Sequence, residues 1–401
     1  MDGRMIKLTF AGDAMCEGKQ ADAHKTGENS YDFLPVFESM RQYFNNSDFV
    51  IVNMETPLAG KERGFTSERW SFNTPGEFAL ALKESGVDMV STANNHCLDR
   101  GVDGLVSTIE NLDKIGLKHT GTFKEKTLQN YIIEDLAGIK VGFLSYTYGT
   151  NAFMNRNYLG KGEKYLVNML QEQELDSPLS RWCYLNERAL YSRIYRKMGR
   201  LICPEQFKKP VYERRYKCRR RRKELVESIK RCRSSGAEYI VMLMHAGGQF
   251  NPEPNEHTLE ISDFLLNNDV DAVIGNHEHV IHRCEIKDNK VTAFSLGNFS
   301  AVAGIYDPPF GKKAEYSIIL NLHLAKEGTE VRLRKTTFSV AKSIAADSNR
   351  VKTELLFDLI ARCNDEKEKE KLLADNEKIV CLFLNKKNEN MKIKREYEFL
   401  G

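Results

Sequence analysis

The stretch that decides the fold of this chain runs from Val270 to His279 and reads Val-Asp-Ala-Val-Ile-Gly-Asn-His-Glu-His. It begins with a short apolar run and ends in a cluster of amide, imidazole and carboxyl side chains. A short β-branched run that stops at a turn residue is typical of a buried strand. The stretch therefore predicts a strand whose carboxyl end presents side chains able to bind a metal.

Five more apolar runs end in the same way. Each is followed by a small cluster of Asp, Glu, Asn, His and Gly residues: Gly12-Asp13, Asn53-Met54-Glu55, Asn94-Asn95-His96, His245 to Gly248, and Gly297-Asn298. The carboxyl ends of parallel strands open into one crevice. We therefore expect these clusters to converge.

The segments between these runs have helical periodicity. Glu77 to Ser85 and Leu105 to Ile115 carry apolar residues at three-to-four spacing. Such alternation of strands and helices predicts βαβ units and a largely parallel sheet that is buried on both faces. Val291 to Leu296 and Tyr316 to Leu322 are expected to close the sheet as antiparallel strands.

The composition favours a soluble globular protein. Hydrophobic residues make up 41% and charged residues 29% of the chain, and no apolar stretch is long enough to span a bilayer. The apolar run from Ile6 to Ala11 is too short for a secretory signal, so we expect a cytoplasmic protein. The nine cysteines are scattered without a C-x-x-C pair, which argues against disulfides and a thiolate zinc site.

The charge of the chain is unevenly distributed. The net charge is +3, yet residues 188–233 hold about 18 Lys and Arg against four Glu, roughly +14. We predict a basic helical insertion at 151–235 as a candidate lid between the two halves of the main domain, 1–150 and 236–346. Its Arg219 and Arg220 are candidates for binding an anionic substrate or nucleic acid, with a solvated face as the alternative. Residues 347–401 are expected to form a C-terminal helical appendage with one strand-like run, Ile379 to Leu384.

The chemistry of the clusters favours transition metals. Carboxylate and amide oxygens mixed with imidazoles suit Mn²⁺, Fe or Zn²⁺ better than Ca²⁺ or Mg²⁺. A bridging carboxylate can hold two such ions about 3.5–4 Å apart. The sequence therefore predicts a site for two divalent ions.

The order of the motifs resembles that of a known family. The motifs are Gly12-Asp13-Ala14-Met15, Asn53-x-Glu55-x-Pro57, Asn94-Asn95-His96-x-x-Asp99, His245-x-Gly247, Gly275-x-His277-x-His279 and Ser295-Leu296-Gly297-Asn298-Phe299. They resemble the CapA-type capsule and poly-γ-glutamate synthesis proteins of the calcineurin-like metallophosphoesterase superfamily, over about residues 6–150 and 236–323. The resemblance implies an α/β fold of the α+β kind, a four-layer αββα sandwich.

The resemblance also implies roles for individual residues. Glu55 would bridge two ions, Asp13 and His279 would hold the first, and the second would be held by Asn95, His245 and His277. His96 would protonate the leaving group, oriented by Asp99. Asn298 and Ser295 would line the site and contact substrate. Gly275 to Glu278 spells Gly-Asn-His-Glu, the string that carries the catalytic Asn-His pair in the superfamily. The order of the motifs along the chain instead assigns that pair to Asn95 and His96.

Two departures from the superfamily pattern bear on this assignment. Met15 stands where metallophosphoesterases usually place a histidine, which leaves the first ion short of a ligand and allows occupancy by one metal. Gln249 stands where the family tends to carry a carboxylate, and we expect it to contact substrate. The implied function is a metal-dependent hydrolase that cleaves phosphoesters. The alternative is a non-catalytic metal-containing scaffold that binds an anionic polymer or nucleic acid through the basic insertion.

Overall fold

The computed structural model describes residues 5–67, 71–173, 194, 197–198, 201, 219–301, 314–345, 350–386 and 391–399. The strands in these ranges are β1 (Ile6–Ala14), β2 (Phe49–Met54), β3 (Met89–Ser91), β4 (Lys118–Thr120), β5 (Ile132–Leu136), β6 (Ile139–Thr147), β7 (Tyr239–His245), β8 (Ala272–Asn276), β9 (Cys284–Lys287), β10 (Lys290–Ala293), β11 (Asn298–Ser300), β12 (Tyr316–Glu327), β13 (Glu330–Ala345), β14 (Val351–Leu355) and β15 (Tyr397–Glu398).

The α-helices are α1 (Gly18–Ala23), α2 (Leu34–Phe37), α3 (Arg41–Phe44), α4 (Glu77–Glu84), α5 (Gly101–Ile115), α6 (Ala152–Asn155), α7 (Arg219–Ser234), α8 (Glu256–Leu266), α9 (Leu356–Arg362) and α10 (Glu366–Phe383). Short 3₁₀ helices cover Glu38–Met40 and Lys61–Arg63. Local sequence accounts for several helix ends. The Asn255 side chain caps α8 by accepting a hydrogen bond from the Thr258 N–H at 2.8 Å, and α5 stops at Gly116 in the left-handed conformation.

The first sheet has the strand order β14-β13-β12-β1-β2-β3-β4, with β11 beside β1 and β15 beside β13. The strands from β1 to β4 are parallel, whereas β12 runs antiparallel to β1. The second sheet has the order β5-β6-β7-β8-β10-β9. Its four central strands are parallel and its edge strands are antiparallel. Helices lie between β1 and β2, β2 and β3, β3 and β4, β6 and β7, and β7 and β8 along the chain, whereas the parallel neighbours β8 and β10 are joined through β9.

Three buried clusters define four layers. The central one joins the facing sides of the two sheets, with Phe10 and Ile51 from the first sheet and Phe143 and Val241 from the second. A second cluster packs helices α2 and α4 on the outer side of the first sheet. A third packs α7 and α8 on the outer side of the second sheet. The predicted αββα sandwich is confirmed, and its two inner layers bury strands on both faces, which explains their continuous apolar runs.

The C-terminal region differs from its prediction. The run from Ile379 to Leu384, expected to be strand-like, lies at the end of helix α10. A short apolar run is ambiguous between strand and buried helix, and here the helical phase brings Ile379 and Phe383 into the central cluster. Strand β14 also joins the first sheet through β13. Residues after 347 therefore take part in the main fold.

The predicted insertion at 151–235 lies partly outside the described residues. Its beginning contains the short helix α6, and its end contains α7, whose Leu225 and Ile229 pack against strands β6 and β7. Helix α7 thus belongs to the outer layer of the second sheet, although its basic sequence assigned it to the insertion. Within the described part of the chain, no helix is long and apolar enough to cross a membrane.

Candidate metal centre

Strand register brings the predicted clusters together. In the first sheet, Asp13 on β1 is paired with Asn53 on β2 and with Asn298 on β11. In the second sheet, His245 at the end of β7 is paired with Asn276 at the end of β8. The side chains predicted as ligands (Asp13, Glu55, Asn95, His245, His277 and His279) are each at most 2% exposed. They form one buried site between the carboxyl ends of the two sheets.

One group of potential ligands surrounds the imidazole of His245. Its Nε2 atom lies 2.8 Å from Oδ1 of Asn95, 3.2 Å from Nδ1 of His277 and 3.4 Å from Oε1 of Glu55. Ligand atoms of Glu55, His245 and His277 all lie within 4.8 Å of one another. Four oxygen and nitrogen atoms thus converge on one point, as ligands of a cation do.

A second group shares Glu55 with the first. Ligand atoms of Asp13, Glu55 and His279 also lie within 4.8 Å of one another. His279 approaches Oδ2 of Asp13 through Nδ1 at 3.5 Å and Oε1 of Glu55 through Nε2 at 3.7 Å. The Glu55 carboxylate therefore lies between the two groups, where it could bridge a pair of ions.

Several buried polar atoms at the centre fit the ions that the fold implies. Both carboxylate oxygens of Glu55, Nδ2 of Asn95 and Nε2 of His277 have no hydrogen-bond partner among the described residues. A buried polar group without a partner costs roughly 1–3 kcal/mol, so such a concentration of them is unusual outside a binding site. The donor set of carboxylate, amide and imidazole groups fits Mn²⁺, Fe or Zn²⁺.

The pKa shifts of the candidate ligands also favour a bound cation. Burial, together with the neighbouring Glu55, raises the pKa of Asp13 well above its usual range. Burial also raises the pKa of Glu55 and holds the pKa values of His245 and His277 well below that of a free histidine. Neutral imidazoles are the form that binds metals, and a cation would offset the cost of burying two carboxylates close together.

The backbone beneath this cluster is strained. His277 has a φ angle of 99° and His279 one of 58°, both in the left-handed region that non-glycine residues rarely occupy. The His277 N–H donates to Oδ2 of Asp13 at 3.1 Å, which ties this turn to the first sheet. Strain of this kind is concentrated at functional sites, where the surrounding structure holds it.

His96 lies beside the ligands and is oriented by its neighbours. Its Nδ1 is 2.7 Å from Oδ2 of Asp99, and the edge of the Phe72 ring contacts it with centroids 4.5 Å apart. Burial by itself would lower the pKa of His96, but the carboxylates of Asp99, Glu55 and Asp13 together raise it above the ordinary value. The imidazole is thus held in a form that can give up a proton.

Three residues that the sequence analysis did not assign complete this arrangement. The amide Nδ2 of Asn53 donates to Oδ1 of Asp13 at 2.6 Å and lies 3.2 Å from Nδ1 of His245. Phe72 donates its N–H to Asp99 at 2.8 Å, and Nδ2 of Asn155 lies 3.3 Å from the other Asp99 oxygen. Asn53 was detectable because it shares a strand face with Glu55 two residues on. Phe72 lies in a distant loop and Asn155 at the end of α6, and neither position carries such a signal.

The predicted substrate contacts fall in different places. Asn298 is fully buried, with Oδ1 2.9 Å from Nδ1 of His279, so it supports a candidate ligand. Ser295 is also fully buried and accepts the N–H of Gly297 at 3.3 Å within the turn. Gln249 is half-buried, and its Nε2 lies 3.5 Å from Nε2 of His279. Of the three, Gln249 is the one at the edge of the ligand cluster.

The basic helix α7 is described in part. The side chain of Arg219 lies outside the described residues, whereas Arg220 is exposed and pairs with Glu224 at 2.7 Å. Arg221 is buried and pairs with Glu172 at 3.1 Å, and Arg222 pairs with Glu260 at 2.8 Å. These contacts join α7 to its surroundings, and substrate binding by Arg219 and Arg220 stays a prediction.

Two facing mixed sheets between helical layers, with Asp, Glu, Asn and His side chains gathered at their strand ends, define an αββα class of folds with a candidate metal centre. Within this class, the chain belongs to the family described as bacterial capsule synthesis protein PGA_cap, which matches residues 7–302. The resemblance drawn from the motifs is thereby confirmed.

Two curated relatives support this placement. The capsule biosynthesis protein CapA of Bacillus anthracis is 21% identical over 334 residues, which cover 82% of this chain and 66% of the relative. The PGA biosynthesis protein CapA of Bacillus subtilis is 21% identical over 333 residues, covering 81% of this chain and 69% of the relative. The match to the first thus spans slightly less than two thirds of that protein.

Solved structures also show similarity. The calcineurin-like phosphoesterase YfkN from Bacillus subtilis is 12% identical, with 94% of this chain and 98% of that chain covered and a TM-score of 0.44. The sulfate thiohydrolase SoxB of Thermus thermophilus is 11% identical, with 86% and 45% covered and a TM-score of 0.39.

Proposed function

We propose that this chain is a metal-dependent hydrolase that cleaves a phosphoester with two divalent ions, Mn²⁺, Fe or Zn²⁺. The observation that carries the proposal is the pair of ligand groups that share Glu55. Asp13, Glu55 and His279 would hold one ion, and Glu55, Asn95, His245 and His277 the other. Ions held in this way lower the pKa of a bound water and stabilise negative charge on phosphoryl oxygens.

The charge balance of the site favours an anionic substrate. Asp13 and Glu55 are the only carboxylates in the two ligand groups, so the positive charge of two divalent cations would exceed the negative charge of the two carboxylates that hold them. The excess positive charge would lie in a buried site, where electrostatic interactions are stronger than in water. Phosphate oxygens suit such a site better than a neutral ester or amide does.

His96 would supply the proton that the leaving oxygen needs. Asp99 accepts the proton on Nδ1 at 2.7 Å, so Nε2 is the nitrogen left to act on substrate. The neighbouring carboxylate of Asp99 raises the pKa of His96, with smaller contributions from Glu55 and Asp13. A general acid in this position contributes about 10²–10⁴-fold to the rate.

The names of the relatives support a biological role. Their names, capsule biosynthesis protein and PGA biosynthesis protein, support a role for this chain in capsule or poly-γ-glutamate synthesis. An anionic small molecule or an anionic polymer is then the substrate class. The charge balance of the metal site supports the same class independently.

The scaffold alternative is less well supported. On the described part of α7, exposed cations face exposed carboxylates, with Arg220 near Glu224 at 2.7 Å and Lys223 near Glu227 at 3.9 Å. Such a mixed surface is a weak binder of anionic polymers. A scaffold would also have no use for the buried His96–Asp99 pair.

Metal analysis followed by a substrate screen tests the proposal. The protein should be purified without chelator, and its Mn, Fe and Zn content measured against a Glu55→Ala variant. Phosphomonoester and phosphodiester substrates are then tested with each metal. We expect bound metal in the wild type, loss of metal in the variant, and metal-dependent hydrolysis. Protein that binds no metal, or that hydrolyses no phosphoester with any of the three metals, would contradict the proposal.

A further inference from the structure

We propose that Gln249 is a ligand of the ion held by Asp13, Glu55 and His279, through its side-chain carboxamide oxygen. The inference rests on the proposed metal centre and adds to it a residue outside both ligand groups. It replaces the expectation that Gln249 contacts substrate.

The Asp13 group has fewer ligands than its neighbour. The His245 group contains Asn95, whose Oδ1 lies 2.8 Å from Nε2 of His245, as a neutral oxygen beside the carboxylate and the imidazoles. The Asp13 group offers two carboxylates and one imidazole. Met15, two residues after Asp13, offers a thioether, which is a poor ligand for Mn²⁺. A neutral oxygen would make the two halves of the centre equivalent.

Asn298 determines which nitrogen of His279 is available to an ion. Its Nδ2 faces two carbonyl oxygens, those of Ala314 at 2.9 Å and His279 at 3.4 Å. This fixes the amide so that Oδ1, which can only accept, faces Nδ1 of His279 at 2.9 Å. Nδ1 therefore carries the proton, and the lone pair of a neutral ring is on Nε2.

The carboxamide of Gln249 lies at this lone pair. Its Nε2 is 3.5 Å from Nε2 of His279, which in turn is 3.7 Å from Oε1 of Glu55. The amide nitrogen of Gln249 thus faces the lone pair. An ion bound to Nε2 of His279 would occupy its lone pair, so the amide N–H of Gln249 would lose its acceptor. A half-turn about the last side-chain torsion of Gln249 exchanges the N–H group for Oε1 in nearly the same volume.

The loop carrying Gln249 is attached to the ligand turn on both sides. Gly247 has a φ of 137°, and a Cβ there would lie 1.9 Å from Oε1 of Glu278. On the other side, the Phe250 N–H donates to the Glu278 carbonyl at 2.8 Å, and its ring centroid is 5.5 Å from that of His279. Because Glu278 lies between His277 and His279, these contacts fix Gln249 relative to the ligands.

Mn²⁺ binding to variants of the full chain tests the inference. Titration calorimetry and electron paramagnetic resonance would compare the wild type with Gln249→Leu, which removes the oxygen, and Gln249→Glu, which keeps one. The matched control is Gln129→Leu, at an exposed position. We expect Gln249→Leu to weaken the binding of one Mn²⁺ ion by about 10–100-fold. Gln249→Glu should bind Mn²⁺ at least as tightly as the wild type does. The Gln129→Leu control should bind Mn²⁺ with unchanged affinity.

Three results would overturn the proposal that Gln249 is a metal ligand. If Gln249→Leu binds Mn²⁺ as the wild type does and only KM rises, Gln249 contacts substrate and the proposed hydrolase stands. If Gln249→Glu weakens Mn²⁺ binding as much as Gln249→Leu does, the side-chain oxygen at this position does not hold the ion. If the wild type binds no Mn²⁺, Fe²⁺ or Zn²⁺, the proposed function fails as well. Should Gln249→Leu not fold, Gln249→Asn, whose shorter amide falls short of the ion, must show the same weakening.

Discussion

Asp99 holds His96 through a carboxylate that is itself held on both oxygens. Oδ2 of Asp99 lies 2.7 Å from Nδ1 of His96 and accepts the N–H of Phe72 at 2.8 Å, while Oδ1 is 3.3 Å from the amide of Asn155. The pair is buried beside the candidate ligands. Its orientation is therefore set before any substrate binds, and this is the arrangement expected of a general acid.

Replacing His96 separates proton transfer from metal binding. His96→Asn should reduce kcat by about 10²–10⁴-fold and leave metal content and melting temperature close to wild type, because His96 is outside both ligand groups. The loss should shrink for leaving groups of low pKa, which need little protonation. A set of aryl phosphates measures this dependence. Loss of metal in His96→Asn would instead make His96 a ligand, and an equal loss for all leaving groups would refute the acid role.

Glu55 should matter most for metal content. Because it belongs to both ligand groups, Glu55→Gln should remove at least one ion, whereas His96→Ala should not. Glu55→Gln should also be more stable than the wild type in chelator. Burial raises the pKa of Glu55, and the neutral amide avoids the cost of an unpaired buried charge. Elemental analysis and urea unfolding in EDTA check both results. Equal metal content in the variant and the wild type would remove Glu55 from the centre.

Chelation should destabilise the wild-type fold. An ion that binds only the native state adds about 2.7 kcal/mol when present at ~100 times its Kd. Melting curves at increasing Mn²⁺ concentration after EDTA treatment should therefore shift upward by several degrees. Glu55→Gln is the control and should respond much less. A melting temperature that is independent of Mn²⁺ in the wild type would argue against a centre that binds Mn²⁺.

Neighbouring arginines of α7 should differ in their effect on stability. Arg221 is buried and its guanidinium lies 3.1 Å from Glu172 and 3.2 Å from Glu224, so Arg221→Met should lower the free energy of unfolding by roughly 1.5–3 kcal/mol. Arg220 is exposed and its ion pair with Glu224 lies at the surface, so Arg220→Met should change the free energy of unfolding by less than about 0.5 kcal/mol. Urea unfolding measures both. Equal changes in the free energy of unfolding for Arg221→Met and Arg220→Met would contradict a stabilising role for the buried ion pairs of Arg221.

Gly247 should not tolerate a side chain. Gly247→Ala places a Cβ 1.9 Å from Oε1 of Glu278 at a φ of 137°, and we expect a loss of at least about 1–3 kcal/mol from backbone strain alone. Glu278→Ala should relieve the collision but not the strain, so the double variant should lose less than the two single losses added together. Unfolding in EDTA isolates this effect from metal binding. Strictly additive losses would show that the two side chains do not meet.

Strand-end chemistry was predictable because it is local. Each ligand cluster follows directly after an apolar run, so parallel strands bring Asp13 and Glu55 to the carboxyl end of the first sheet and His245 to the carboxyl end of the second. The same runs predicted a parallel sheet buried on both faces, whereas the four αββα layers were implied by the resemblance to the CapA-type family. Ile379 to Leu384 misled the analysis because a short buried run reads alike in a strand and in a helix.

The sequence by itself determined the order of the motifs and the clusters of potential ligands at strand ends, because hydrophobic periodicity and strand-end position are properties of neighbouring residues; the layered fold and the role of each ligand came from the family that the motifs resemble. Only the tertiary structure decided that Asn53 joins Asp13 to His245, that Phe72 and Asn155 hold Asp99, and that Gln249 meets His279. These contacts join residues far apart in the chain. Their geometry depends on how the loops close over the two sheets, and no local pattern encodes it.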